Sequence, residues 1–117
     1  MDIQCVFAVA CVSDMDRSID WYSKLMGRRP DDQPMRGLVQ WHNVDGIGLQ
    51  LVLDKDMSGF SLITIVTPTM AKTRETLSTT GLQLEPDFQG DFGIIAQIND
   101  PDGNRLTIAE PPKMSED

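Results

Sequence analysis

The sequence predicts an α+β fold of two tandem strand–helix–three-strand units, and three observations carry that prediction. Strand-like and helix-like patterns alternate in an order that occurs twice. Val12 and Gly27 in the first half, and Val66 and Gly81 in the second, are each fifteen residues apart. Asn43-Val44-Asp45-Gly46 and Asp100-Pro101-Asp102-Gly103 both end in Asp-Gly just before an apolar run. At 117 residues the chain has the length of one domain. The first unit covers about residues 1–57 and the second about 58–110, with a frayed tail at 111–117.

In the first unit, residues 4–12 read as a strand. Ser13 is placed to cap a helix, with Asp16 three residues on. Met15, Ile19, Tyr22 and Met26 form its apolar stripe, and Gly27 supplies a left-handed stop. A polar loop runs through Asp31, Asp32 and Pro34, followed by a hairpin of residues 37–42 and 47–53 around Asn43-Val44-Asp45-Gly46. In the second unit, residues 60–66 are a strand and Thr67 is the cap. Pro68 takes the first helical position, where its missing N–H costs nothing, and Gly81 closes the helix. Strands follow at 82–88, 92–99 and 104–110.

Composition excludes several classes. Lys and Arg number 10 against 18 Asp and Glu, a formal net charge of −8, so there is no positive footprint for nucleic acid. Arg28, Arg29 and Arg36 read as a solvated loop. The longest apolar run, residues 5–12, is far short of the ~20 a membrane span needs. No basic region followed by an apolar stretch and a cleavage site opens the chain, so the expected location is cytoplasmic. Cys5 and Cys11, six strand positions apart, lie ~20 Å from each other, beyond disulfide reach. They read as small buried hydrophobes in a reducing compartment. A nucleophilic role for either would need activation through space by His42, the sole histidine.

The stretch Val12-Ser13-Asp14-Met15-Asp16-Arg17-Ser18-Ile19-Asp20-Trp21-Tyr22-Ser23-Lys24-Leu25-Met26-Gly27 resembles the first strand end and helix of the vicinal oxygen chelate superfamily. Ile98-Asn99-Asp100-Pro101-Asp102-Gly103-Asn104-Arg105-Leu106 resembles its last hairpin. That superfamily holds glyoxalase I, extradiol dioxygenases, fosfomycin-modifying enzymes and bleomycin-resistance proteins. The resemblance implies two βαβββ modules forming a curved mixed sheet around a cleft, and a homodimer. In the enzymes, one side chain from the first and one from the last strand of each module hold a divalent metal. Carried over, the first-strand positions lie five residues before Val12 and Val66, at Phe7 and Ser61. The last-strand positions lie four past each turn glycine, at Gln50 and Thr107. Divalent ions need imidazole or carboxylate donors, which these residues lack; sliding the second strand by a residue gives Phe60, which is no better. The expectation is therefore no metal, no cofactor, and none of the metal-dependent activities.

Strand alternation then assigns faces. With Phe7 in the cleft, Val9 joins it. Turn similarity pairs Gln40 with Gln50 and His42 with Gly48, and in the last hairpin Gln97 with Thr107 and Asn99 with Arg105. A two-residue Asp-Gly loop would instead set Trp41 opposite Gln50; the first register separates polar from apolar side chains. The predicted cleft holds Phe7, Val9, Gln40, His42, Gln50, Ser61, Gln97, Arg105 and Thr107. Amides and hydroxyls beside apolar surface suit a planar or amide-bearing ligand, and the acidic balance favours a cationic one. The glutamines can equally satisfy one another across the sheet. Trp21 and Tyr22 read as packing residues rather than a stacking platform. The resulting expectation is a metal-free, homodimeric small-molecule binding protein, similar to the bleomycin-resistance type and without catalytic residues. Its alternatives are a metal-free enzyme using His42 as acid or base, and a structural homologue with empty sites.

Overall fold

The computed structural model describes residues 1–42, 46–91 and 93–112. In the first half, β1 (Val6–Val12) leads through α1 (Met15–Met26) to β2 (Asp32–Met35), β3 (Leu38–His42) and β4 (Ile47–Leu53). In the second, β5 (Leu62–Val66) leads through α2 (Met70–Thr79) to β6 (Phe88–Gly90), β7 (Gly93–Asn99) and β8 (Arg105–Glu110). Each half forms a four-stranded mixed sheet, ordered β1-β4-β3-β2 and β5-β8-β7-β6. The first strand of each pairs in parallel with the last, and the hairpins are antiparallel. This is the tandem fold that the repeated order predicts.

The helix ends depart from the sequence reading in an informative way. Asp14, not Ser13, caps α1, accepting from Arg17 N at 3.0 Å. Ser13 is engaged elsewhere: its backbone N donates to Asp102 Oδ2 at 3.0 Å and its hydroxyl bonds the other oxygen. In α2 the N-cap is Thr69 rather than Thr67, so Pro68 stands outside the helix. The Glu110 carboxylate accepts from Met70 N at 2.7 Å, filling the place of a side-chain cap. Gly81 closes α2 as expected, at φ 88°, with Leu82 N donating to Leu77 O and Gly81 N to Ser78 O, a Schellman arrangement.

Two strand expectations are corrected. The polar stretch around Asp32 and Pro34 is an edge strand, β2, where a proline's missing N–H faces no partner. Of the strand expected at 82–88, only Phe88 joins a ladder, in β6. Before it, Pro86 has no N–H to donate, and Arg74 of α2 takes the carbonyls of Leu84 (2.9 Å) and Glu85 (2.8 Å). The turn residues Asn43, Val44 and Asp45, Phe92 and most of the predicted tail lie outside the described residues.

The helices cover one side of both sheets. Ala10, Val12, Val39, Trp41, Leu49 and Leu51 of the first sheet and Ile63, Ala96, Ile98, Leu106 and Ile108 of the second are buried there with Tyr22, Met70 and Leu77. The other side of the sheets is left open. β1 and β5 meet at a seam, where Cys11 N donates to Ser61 Oγ (3.0 Å) and Asn104 Nδ2 to Cys11 O (2.8 Å). The radius of gyration, 15.0 Å, exceeds the ~13 Å usual for this length, consistent with sheets placed side by side rather than stacked.

Candidate functional site

The open side is built by alternation. Burying every second residue against the helices leaves Phe7, Val9, Gln40, Gln50, Gln97 and Thr107 on the opposite face, half-buried or exposed. Gln40 lies opposite Gln50, whose Nε2 donates to Gln40 Oε1 at 3.0 Å. At the equivalent place in the second sheet, Gln97 Nε2 donates to Thr107 Oγ1 at 3.1 Å. Both registers are those that turn similarity predicts. Trp41 pairs with Leu49, not Gln50, because its ring fills the core while its indole N–H reaches Arg28 O at 2.9 Å.

Phe7 pairs with Gly48, and the fit is obligatory. A Cβ on Gly48 would stand 2.5 Å from the Phe7 ring and 2.8 Å from Trp41 O, so only glycine lets the ring lie over the strand. In the second sheet the corresponding pair is Leu62 with Arg105. Ser61 is therefore not the mate of Phe7. Counting back from Val66 misplaces it because the second helix reaches its glycine stop one residue sooner, Met70 to Gly81 against Met15 to Gly27. The residue matching Val12 is Thr67, also buried. Ser61 sits at the seam instead, its N donating to Asn104 Oδ1 at 2.8 Å and its Oγ accepting from Cys11. Leu62, 83% exposed, takes its place on the open face.

Two basic side chains border this face, and each is matched by an acid. His42 Nε2 lies 3.1 Å from Asp32 Oδ2. Asp31, beside it, is held down at about 2 by the Arg28 guanidinium and then by the His42 backbone N–H. Arg105 makes a bidentate pair with Glu85, Nη1 to Oε2 at 3.0 Å and Nη2 to Oε1 at 3.1 Å. Its remaining donors reach Asn99 Oδ1 and Gln97 Oε1. The pair lowers the Glu85 carboxyl and raises the Arg105 guanidinium. Glu85 and Asp32 are site-bordering residues that sequence reasoning missed, one in a segment read as a strand and the other in a loop.

The residues at the four equivalent strand positions do not fit a divalent metal. Phe7 and Leu62 have no donor, and Gln50 and Thr107 offer one amide oxygen and one hydroxyl. Among the described residues no three His, Cys, Asp or Glu side chains are placed to hold a metal ion together. Melting temperature should accordingly be the same with EDTA as with added Ni²⁺, Zn²⁺, Fe²⁺ or Mn²⁺. A specific ion at a hundredfold excess over its dissociation constant would add ~2.7 kcal/mol, so a saturable rise would contradict this.

A separate hollow of ≈ 380 Å³ lies on the helix side, lined mainly by Ala8, Met26, Trp41, Ile47, Leu49 and Val66 with Arg28 and His42 at hand. Its lining is mostly apolar and carries few polar side chains to orient a ligand.

Residues 4–108 match the family model of the Glyoxalase/Bleomycin resistance protein/Dioxygenase superfamily. The chain belongs to this superfamily. Among solved structures, a glyoxalase / bleomycin resistance protein from Catenulispora acidiphila aligns with TM-score 0.84 at 23% identity, covering 92% of this chain and 98% of that one. TnmS3, an antibiotic binding protein from Streptomyces sp. CB03234, aligns with TM-score 0.75 at 24% identity over 96% and 97%. A bleomycin-binding protein from Streptomyces verticillus, in complex with copper(II)-bleomycin, aligns with TM-score 0.77 at 13% identity over 96% and 99%. No curated protein matches the chain. At these identities the structures share the superfamily fold with this chain. No helix among the described residues is long and apolar enough to cross a membrane.

Proposed function

We propose that this superfamily member binds a small molecule on the open face and holds it without chemistry, a sequestering role. The observation that carries this reading is the presence, at equivalent places in both sheets, of the hydrogen-bonded pairs Gln40–Gln50 and Gln97–Thr107. Around them stand the exposed apolar side chains Val9 and Leu62. A planar molecule could stack on the apolar surface and exchange hydrogen bonds with the amides. The antibiotic-binding and bleomycin-binding proteins that share the fold support the same class of function. Val6, Ile47 and Val66 are exposed, the last two at the mouth of the hollow, and such apolar exposure supports pairing with a second copy.

The test joins mass and mutation. Native mass spectrometry of freshly purified protein reports retained small molecules and whether the assembly is twice the 13.0 kDa chain. Thr107→Trp fills the face and Gln50→Leu removes an amide at similar shape. Retained molecule, or binding of the fluorescent probe N-phenyl-1-naphthylamine, should fall at least tenfold in both variants with melting near native. Strain of ~1–3 kcal/mol in Thr107→Trp would mean that protein already fills this space. Unchanged binding in both variants would put the site elsewhere, the helix-side hollow first.

A second reading, an acid–base enzyme, draws on the His42–Asp32 pair, since a carboxylate orients an imidazole for proton transfer. Turnover of a bound compound, abolished by His42→Ala, would replace the sequestering reading.

A further inference from the structure

We infer that the Arg105–Glu85 pair sets the charge class of the ligand, so that the open face accepts uncharged amide- or hydroxyl-bearing aromatic molecules and rejects anions. This rests on the open face being the binding site. Among the described residues Arg105 is the only Lys or Arg in the eight strands; Arg28, at the His42 border, is taken up by the Asp31 carboxylate and by His42 O. A guanidinium beside paired amides would ordinarily invite a carboxylate, sulfonate or phosphate, because its fork of N–H groups matches their oxygens. Here that fork is already filled. Both terminal nitrogens bind Glu85, and each makes one further bond, to Asn99 and to Gln97.

The placement of Glu85 is itself secured. Its backbone N donates to Gln97 O at 2.8 Å, and its carbonyl accepts from Arg74 Nη2 at 2.8 Å. Arg74 also holds Leu84 O and bonds the Asp87 carboxylate, so α2 fixes the segment that presents Glu85. The pair also orients an amide. Arg105 can only donate, so the Gln97 atom it meets is Oε1, which turns Nε2 toward Thr107. The Thr107 hydroxyl, accepting from Gln97, keeps its own proton for a ligand acceptor. At the other border His42 is matched by Asp32 in the same manner. Among the described residues of this face a ligand therefore meets oriented neutral dipoles and cations that are already paired.

The test uses two probes that differ by one sulfonate: neutral N-phenyl-1-naphthylamine and anionic 8-anilinonaphthalene-1-sulfonate, titrated by fluorescence into the full chain. The unaltered protein should bind the neutral probe at least tenfold more tightly. Glu85→Gln, which frees the guanidinium, should tighten sulfonate binding about tenfold relative to the neutral probe. Adding Arg105→Gln to Glu85→Gln should erase that gain. Glu75→Gln, the same charge change on an exposed position of α2, should not reproduce it. Glu85→Asp, which keeps the charge and shortens the reach, is the second variant should Glu85→Gln melt early; it should give part of the gain. Sulfonate affinity that stays fixed in both Glu85 variants, or rises equally in Glu75→Gln, overturns the inference. Neutral-probe binding untouched by Thr107→Trp overturns instead the reading of the open face as the site.

Discussion

Replacing Asp100 by alanine is expected to cost about 3–5 kcal/mol, because it strands several buried donors at once. The Asp100 carboxylate accepts from Tyr22 OH at 2.7 Å, Asn104 Nδ2 at 2.8 Å, and the backbone N–H groups of Asp102 and Asn104 at 2.9 Å. Tyr22 and Asn104 have no solvent exposure and Asp100 only 5%, so water cannot replace what is lost. The bond from Tyr22 also joins α1 of the first half to the β7–β8 turn of the second. For a chain of this size the cost corresponds to a fall of roughly 10–20 °C in melting temperature, read by calorimetry or denaturant titration. Tyr22→Phe, which removes one donor and leaves the turn intact, should cost about 1–2 kcal/mol. A coupling energy near zero between Tyr22→Phe and Asp100→Ala would show that the bond does not join the halves energetically.

The same contact fixes a pH dependence. Burial first, then the Asp100 hydrogen bond and charge, raise the Tyr22 phenol well above its ordinary value. A raised folded-state value means that the contribution is fully present below pH ~10, where the unfolded phenol is also protonated. It is lost as pH climbs above that point, since only the unfolded chain can then release the proton. Alkaline unfolding should begin near pH 10 and shift upward in Tyr22→Phe, relative to that variant's own stability at pH 7.

That turn shows how the sequence carried the fold. Asp-Pro-Asp-Gly-Asn reads locally as a turn because proline and glycine set its dihedrals. Its position after an apolar strand in both halves was enough to place the hairpin register and with it Gln40, Gln50, Gln97 and Thr107. What the local reading does not contain is the third dimension of Asp100 and Asn104, whose partners Tyr22, Cys11 and Ser61 are 43 to 93 residues away. The same limit explains Glu85. Nothing in Leu82-Gln83-Leu84-Glu85-Pro86 distinguishes a strand from a segment tied to β7 by the bond from Glu85 N to Gln97 O, with its carbonyls taken by Arg74. Ser61 failed for a different reason. Equal fifteen-residue spacings conceal a second helix that reaches its glycine one residue sooner, so the match to Val12 falls on Thr67 and every strand position counted from Val66 slips by one.

Trp41→Ala is expected to be as damaging as the loss of Asp100, again about 3–5 kcal/mol, but by a different route. Trp41 has no solvent exposure, lies 6.4 Å from the Tyr22 ring between centroids, and is the largest fully buried side chain. Truncation removes the apolar area of an indole and opens a void. The price of such a void depends on whether neighbours can close it, and here one neighbour is the ≈ 380 Å³ hollow, which supplies no side chain to move in. The cost should therefore fall in the upper part of that range. Trp41→Phe keeps a ring in place and gives up the indole bond to Arg28 O, a loss of about 1 kcal/mol beyond the change in volume. Since Trp41 stands in β3 between Gln40 and His42, its truncation should also loosen the open face. Fluorescence of the remaining Trp21, followed against urea, gives the stability, and N-phenyl-1-naphthylamine titration below the unfolding transition gives the effect on binding. A loss under 1.5 kcal/mol with binding intact would mean that the first sheet's core repacks around the gap and that the face does not depend on it.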